Sequence, residues 1–578
     1  MFRRSSPDAA FPALAIDWRG LGRAYLFFWY FSGVTHSLLL AGGATGFLPF
    51  RQGVIGSLLW LIPMVLLPRI GTRFATVVGL VLWLASLVNL GYFAIYRQEF
   101  SQSVLFIIFE SNPAEASEYV GNYFVWWMIP AALAYSAVGW MLWRRVRTIV
   151  MPRPAAWLVT LVIASLVFLP PAMKTVRRNL LTADELADSI MGRLEPAVPW
   201  QFAFGYVKYR RELGQMESLL EENRRLPPVT HLVDANAGVP GTLVLVIGES
   251  TTREHMSIYG YPRPTSPRLE ALREHLTVFD GVVAPRPYTI EALQQVLTFA
   301  DQENPNLYLT QPSLMNVMKQ AGYKTFWITN QQTLTQRNTM LTNFSEQTDE
   351  QFYLNHSRSQ NSFQFDGAVL DPFAKVLADP APRKFIVVHL LGTHMRYDYR
   401  YPPEFAKFED RKGLPDWVTD KHLEMINHYD NAVLYNDFVV SSLIERLGGV
   451  GGRALLLYFS DHGEDVYATG NHDFIGRNEA KPTPPMYTIP FLLWRSPAWE
   501  AEHPRSFAGQ TGRLYQTSHL IHTWADLVGL TFEGYDPTKS VVSKTYLERP
   551  LLVGDPGSQK GLIDLRPLLA GRAGHAGR

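Results

Sequence analysis

The chain contains no cysteine. This absence excludes disulfides, a thiolate metal site and a Cys nucleophile together. It also removes the usual sequence sign of an oxidising compartment, so location has to be read from topology. Charge of one sign is lacking too. The formal net charge is +1, which gives no global field to attract nucleic acid or another strongly charged polymer. No repeat period runs through the 578 residues, which argues against a solenoid or propeller. The length is too great for one ordinary domain.

Apolar residues are plentiful, at 47%, with 13% aromatic, but unevenly spread. The first ~170 residues carry Leu, Val, Trp and Phe in runs near the ~18 residues expected of a membrane-spanning helix. About five spans are predicted, at 25–48, 53–67, 75–96, 123–143 and 156–173. The first is too long for a cleaved signal peptide, and further spans follow it. Arg3, Arg4, Arg19 and Arg23 precede span one, Arg69 and Arg73 follow span two, and Arg144, Arg145, Arg147 and Arg153 follow span four. With five spans all of these fall on one side. The loop after span three carries Glu99, Glu110, Glu115 and Glu118 instead. Basic loops stay cytoplasmic, so everything after residue 173 is expected outside. Lys174, Arg177 and Arg178 oppose this slightly and suit the headgroup surface. Residues 100–120 read as a helix lying on the outer membrane surface. His36 and Asn89 are polar residues within spans, either functional or satisfied by interhelical hydrogen bonds.

Four regions follow: a transmembrane domain (1–173), a linker with membrane-surface helices (174–239), a catalytic domain (240–550) and a C-terminal tail (551–578) that reads as loose beyond Pro567. In the third region strands and helices alternate. Strands are predicted at 242–247, 324–328, 384–391, 454–459 and 487–494, and helices at 290–298, 314–321, 428–447 and 517–528. The pattern argues for an α/β domain with a central, mostly parallel sheet covered on both faces.

Three of these strands end at metal-type ligands. One ends in Gly248-Glu249, a second in Ser460-Asp461-His462-Gly463, and a third near Gly392-Thr393-His394. In open α/β sheets functional groups sit just past the carboxyl ends of strands. Glu249, Asp461 and His462 can therefore meet around one ion that keeps a coordination position open. Asp461 and His462 are adjacent and need a sharp turn, for which Gly463 supplies backbone freedom. His394 and His472 are further ligands or phosphate contacts. Thr289 opens a predicted helix. It is either a plain N-cap or a nucleophile at an anion-attracting helix N-terminus, and a metal would lower its hydroxyl pKa.

The residues Gly248-Glu249-Ser250-Thr251-Thr252-Arg253-Glu254-His255, Tyr259-Gly260-Tyr261-Pro262-Arg263, the Phe279–Leu293 segment around Thr289 and Ser460-Asp461-His462-Gly463-Glu464 resemble inner-membrane phosphoethanolamine transferases of the alkaline phosphatase/sulfatase superfamily. Asn112–Glu118 resembles their outer membrane-proximal loop. Within the family, the likeness is greatest to the branch that decorates a core heptose of lipopolysaccharide. The resemblance implies zinc on Glu249, Thr289, Asp461 and His462, with His394 and His472 holding the phosphate and Asn330 lining the site. It implies phosphatidylethanolamine as donor, a lipopolysaccharide acceptor (core heptose favoured, lipid A open), and a phospho-threonine intermediate on Thr289. It also implies a multi-pass protein of the bacterial inner membrane with a periplasmic catalytic domain. Glu115 and Glu118 either pair with the donor's ammonium or keep their loop acidic and outside. The lipid A-modifying branch carries disulfides, and this chain has none. The rivals are a phosphoglycerol transferase of the same architecture, where manganese fits an oxygen-rich site, and an inactive membrane sensor or scaffold. A sulfatase lacks support, because no Cys or Ser stands in the motif that makes formylglycine.

Overall fold

The computed structural model describes residues 15–42, 45, 47–96, 125–177, 183–194, 197–222, 228–332, 340–355, 365–479, 481–557 and 561–573. The chain divides into two compact units, up to Arg210 and from Arg211.

In the first unit four helical stretches are long and apolar enough to cross a membrane: Trp18–Ala41, Phe47–Leu66, Gly71–Ile95 and Arg153–Met173. A fifth apolar helix, Met128–Trp143, is shorter. Asp17 caps the first helix by accepting from the Gly20 N–H at 2.8 Å. The helices lock through aromatic and hydroxyl contacts. The Tyr30 ring stacks on Tyr135 at 4.9 Å, and Tyr135 donates its hydroxyl to Ser86 Oγ at 2.9 Å. His36 is buried and accepts from the Val198 N–H through Nε2 at 3.2 Å, while among the described residues its Nδ1 has no hydrogen-bond partner. Asn89 is buried and, among the described residues, its amide has no hydrogen-bond partner. The predicted surface helix at 100–120 lies outside the described residues.

The second unit is built on a seven-stranded sheet. In chain order its strands are β1 (Gly241–Gly248), β2 (Leu276–Val278), β3 (Lys324–Gln332), β4 (Glu350–Asn355), β5 (Arg383–His389), β6 (Ala454–Ser460) and β7 (Phe491–Arg495), and their spatial order is β2-β7-β6-β1-β5-β3-β4. The run from β6 through β1, β5 and β3 to β4 is parallel, and β7 pairs antiparallel with both β6 and β2. Strands β5 and β6 are buried along their whole length, as their near-continuous apolar sequences require when both faces are covered.

Alternate residues serve two cores. Leu243, Leu245, Ile247, Phe385, Leu455 and Phe459 point to one core with Trp327 and Trp524. Val244, Val246, Ile386, Leu456 and Tyr458 point to the other, with Tyr429, Val433 and Leu443 of the long helix Asp420–Val450.

Some boundaries differ from the sequence reading. The strand predicted at 487–494 begins only at Phe491, because Pro490 has no N–H to give a sheet ladder. Strand β4 and the helix Leu370–Leu377 were absent from the prediction. Of the tail expected to be loose beyond Pro567, the residues up to Ala573 belong to the helix Arg566–Ala573, and ahead of it Leu551, Val553 and Leu565 bury against Val283, Met486 and Tyr487.

Candidate metal centre

The pairing of β1 with β6 fixes the site. Val246 lies opposite Tyr458, Ile247 opposite Phe459 and Gly248 opposite Ser460. Glu249 and Asp461 therefore leave the sheet side by side, and the Asp461 N–H still donates to the Gly248 carbonyl at 3.0 Å. The next turn is tied to both ligands. Ser250 donates its hydroxyl to Glu249 Oε1 at 2.7 Å and its N–H to Asp461 Oδ1 at 3.3 Å. Ser250 holds a left-handed backbone, φ 53°, a strained choice for a non-glycine residue that recurs at functional sites. The Tyr429 hydroxyl anchors its carbonyl at 2.7 Å.

His462 Nδ1 lies 2.9 Å from the Gly463 carbonyl. Placing the proton there leaves Nε2 with a lone pair, the tautomer that ligates metal. Nε2 is 3.4 Å from Glu249 Oε1 and 3.5 Å from Asp461 Oδ2. Among the described residues these three form the one cluster whose ligand atoms lie within 4.8 Å of one another, and all three are fully buried.

Thr289 is the first residue of the helix Thr289–Val296, and the N-cap is Tyr288. Its hydroxyl therefore does not cap the helix. It faces the cluster, with Oγ1 3.4 Å from His462 Nε2. Gly463 is required for a different reason from the one expected. Its φ is not positive, but a Cβ there would overlap the Pro485 carbonyl oxygen.

Sequence reasoning missed Arg477. Its Nη1 is 2.7 Å from His462 Nε2 and 3.6 Å from Glu249 Oε1, and its Nε is 3.2 Å from Glu464 Oε2. Glu464 in turn accepts from the Tyr397 hydroxyl at 3.0 Å. Burial pushes the Asp461 carboxyl up to about 6 and Glu464 up to about 7, and holds His462 and His394 down to about 4. Each group resists its charged form for lack of water.

A cation fits this site. Glu249 Oε2 and Asp461 Oδ2 are buried without hydrogen-bond partners, an arrangement that costs free energy unless something fills the gap. Two carboxylates, one imidazole and one hydroxyl suit a divalent ion with an open position. For Nε2 to bind the ion, the Arg477 guanidinium must withdraw from it.

The other candidates are placed as follows. His394 has a buried Nδ1 with no partner, and Glu249 and His462 are near enough to act on its charge. His472 is not part of the ligand cluster. It takes a left-handed backbone, contacts the Tyr467 carbonyl through Nδ1 at 2.6 Å and stacks on Trp417 at 3.8 Å. Asn330 is fully buried and donates to Asp366 Oδ1 at 2.8 Å, so the contact on show braces the site from beneath. Glu115 and Glu118, with the rest of the Asn112–Glu118 loop, lie outside the described residues.

A family model described as Sulfatase matches residues 241–530. The phosphoethanolamine transferase EptC of Escherichia coli K12 is 51% identical over 553 residues, covering 95% of this chain and 96% of that one. The chain belongs to the phosphoethanolamine transferases of the sulfatase family. The C-terminal periplasmic domain of Escherichia coli EptC, solved in complex with Zn, resembles this transferase with 56% identity and a TM-score of 0.59, over 60% of this chain and 98% of that domain. The integral membrane EptA of Neisseria meningitidis shares the fold across both units, with a TM-score of 0.59 at 18% identity over 93% of this chain and all of its own. The family recognised in the sequence is thus borne out, as is the architecture of membrane helices followed by a sulfatase-like domain. The zinc complex of the related domain and the buried triad together support a metal site in this transferase.

Proposed function

We propose that this transferase moves phosphoethanolamine from phosphatidylethanolamine to lipopolysaccharide, with a core heptose as the favoured acceptor and lipid A as the alternative. The observation that carries the reading is the convergence of Glu249, Asp461 and His462 beside the Thr289 hydroxyl. Zinc, held by these four residues, would supply Lewis acidity to the phosphoryl oxygens and lower the pKa of the bound hydroxyl. Manganese is the lesser candidate, and belongs with the rival phosphoglycerol transferase reading.

In the first half-reaction Thr289 Oγ forms a bond to phosphorus while the bond to the diacylglycerol oxygen breaks, and diacylglycerol leaves with a proton. In the second, an acceptor oxygen attacks phosphorus and the threonine oxygen departs. Neutral His394, whose buried Nδ1 has no hydrogen-bond partner, is the candidate to exchange a proton with the entering or leaving oxygen. His472 contacts the phosphate if its loop closes on substrate. Arg477 sits where it can turn from His462 to the phosphoryl oxygens and balance their growing charge. Asn330 acts through Asp366, and Glu115 and Glu118 are candidates for the donor's ammonium.

In this reading residues 1–173 anchor the chain in the inner membrane, 174–239 link, 240–550 catalyse in the periplasm and 551–578 form the tail. A bilayer lipid as donor explains why the anchor is there. A degenerate scaffold would have no reason to keep two partnerless buried carboxylate oxygens beside a hydroxyl.

The test is intact-protein mass spectrometry after incubation with phosphatidylethanolamine alone. The expected mass gain is that of phosphoethanolamine, and it disappears in Thr289→Ala. A gain matching phosphoglycerol from phosphatidylglycerol would favour the rival. A gain that survives Thr289→Ala would remove Thr289 as nucleophile.

A further inference from the structure

We propose that the basic end of the membrane unit holds an anionic phospholipid, its phosphates gripped by Arg23, Arg144, Arg145 and Arg147. These four arginines and two leucines, Leu26 and Leu142, line a cavity of about 390 Å³. The groups come from distant parts of the chain. Arg23 and Leu26 lie on the helix Trp18–Ala41, and the others lie at the end of Met128–Trp143 and in the segment that follows it.

Among the described residues none of the four guanidinium groups pairs with a carboxylate. Asp17, the nearest acid in sequence, is occupied in capping its own helix. Four like charges around one cavity repel each other, and the arrangement is relieved by a counter-anion. The walls say which kind. Leu26 is 45% exposed and Trp140, whose ring lies 4.8 Å from the Arg144 guanidinium, is 54% exposed. Leu26 carries the outward apolar surface of its helix into the basic cavity, and Trp140 borders the cavity through Arg144. A soluble phosphate has no use for that wall, whereas a lipid places its chains along it and its headgroup among the arginines.

Guanidinium forks bind phosphate oxygens in pairs. Four forks match a headgroup with two phosphates better than one with a single phosphate. A zwitterionic headgroup brings an ammonium that the same charges repel. Basic pockets between spanning helices are known hosts for such headgroups. The site is thus selective against the kind of lipid that would serve as donor, and it stands independently of the proposed reaction.

These arginines also mark the cytoplasmic side by their charge alone, and the two roles separate experimentally. Topology needs the charge, while the lipid site needs the fork. The full-length protein in detergent is titrated with cardiolipin, phosphatidylglycerol, phosphatidylethanolamine and inorganic pyrophosphate and read by native mass spectrometry. One cardiolipin per chain should be retained in preference to the other lipids. Pyrophosphate should not displace it at equal concentration. In the quadruple variant R23K/R144K/R145K/R147K, which keeps every charge, the apparent Kd for cardiolipin should rise about tenfold. Equal retention of cardiolipin and phosphatidylethanolamine would overturn the proposal. So would Lys-variant binding equal to wild type, which would leave only diffuse charge, or full displacement by pyrophosphate, which would make this a soluble-anion site.

Discussion

Replacing Asp366 by Ala will loosen the metal centre without touching a ligand. The Asp366 carboxylate is buried and accepts three hydrogen bonds: from Asn330 Nδ2 at 2.8 Å, the Leu391 N–H at 2.9 Å and the Gly392 N–H at 2.7 Å. The two backbone donors belong to the turn after β5. That turn packs on the first ligand: the Thr393 N–H donates to the Glu249 carbonyl at 3.0 Å, and a Cβ on Gly392 would come within 2.6 Å of the same oxygen. Removing the carboxylate takes this acceptor from two buried backbone N–H groups and ends its bond to the Asn330 amide. Each such loss costs about 1–3 kcal/mol, and partial relaxation brings the expected total to about 3 kcal/mol. For a unit of this size that corresponds to a fall of roughly 5 °C in Tm. Loss of support behind a ligand also weakens metal binding, by roughly tenfold or more. Asp366→Asn keeps the volume and one acceptor but turns an amide donor toward at least one N–H, so its effect should be smaller and of the same sign. The assays are thermal melting of the full-length protein in detergent and a zinc competition titration against a chromophoric chelator. Wild-type Tm and wild-type zinc affinity in the Ala variant would refute the argument.

Gly463→Ala should abolish activity and destabilise by about 3 kcal/mol or more, because the new Cβ meets the Pro485 backbone oxygen and neither side can rotate away; a soluble, active, wild-type-stable variant would contradict this. Asp437 is buried against the Leu269 and Arg268 N–H groups, and burial raises its carboxyl to about 7. Its folded value lies above its unfolded one, so its contribution to stability is complete below about pH 4 and is lost as pH rises through about 7. Asp437→Asn should therefore flatten the fall in Tm between pH 4 and 8, and parallel profiles would refute this. Chelation should stop transfer yet leave the second unit folded, with circular dichroism retained and activity restored by zinc; unfolding on chelation would show that the metal is structural.

The three strand ends were legible because each is an apolar run that stops at a polar ligand, and the parallel pairing of β1 with β6 does the rest. Thr289 was legible as a helix start but not as an uncapped one, since Tyr288 takes the cap position. Arg477 carried no such sign. It reaches the site because two-residue strands, Asp465–Val466 and Ile475–Gly476, pair antiparallel and turn the chain back, and pairings that short leave no periodicity to read. Gly463 was chosen correctly for the wrong reason, because a close approach of distant backbone is invisible in sequence. Strand β4 lies at the sheet edge and is only half buried, so its alternation is weak and escaped notice. His472, expected as a further ligand or a phosphate contact, lies outside the ligand cluster and stacks on Trp417, a partner more than fifty positions away.

Glu249 and Asp461 each directly follow the last paired residue of adjacent strands, Gly248 and Ser460. Surface loops in the chain between them can lengthen or shorten without shifting that register, provided Thr289, Asp366 and the turn after β5 keep their places. A single insertion inside β1 or β6 would instead turn its ligand to the opposite face of the sheet. The spacing of these two ligands thus depends on strand register and not on the length of chain that separates them.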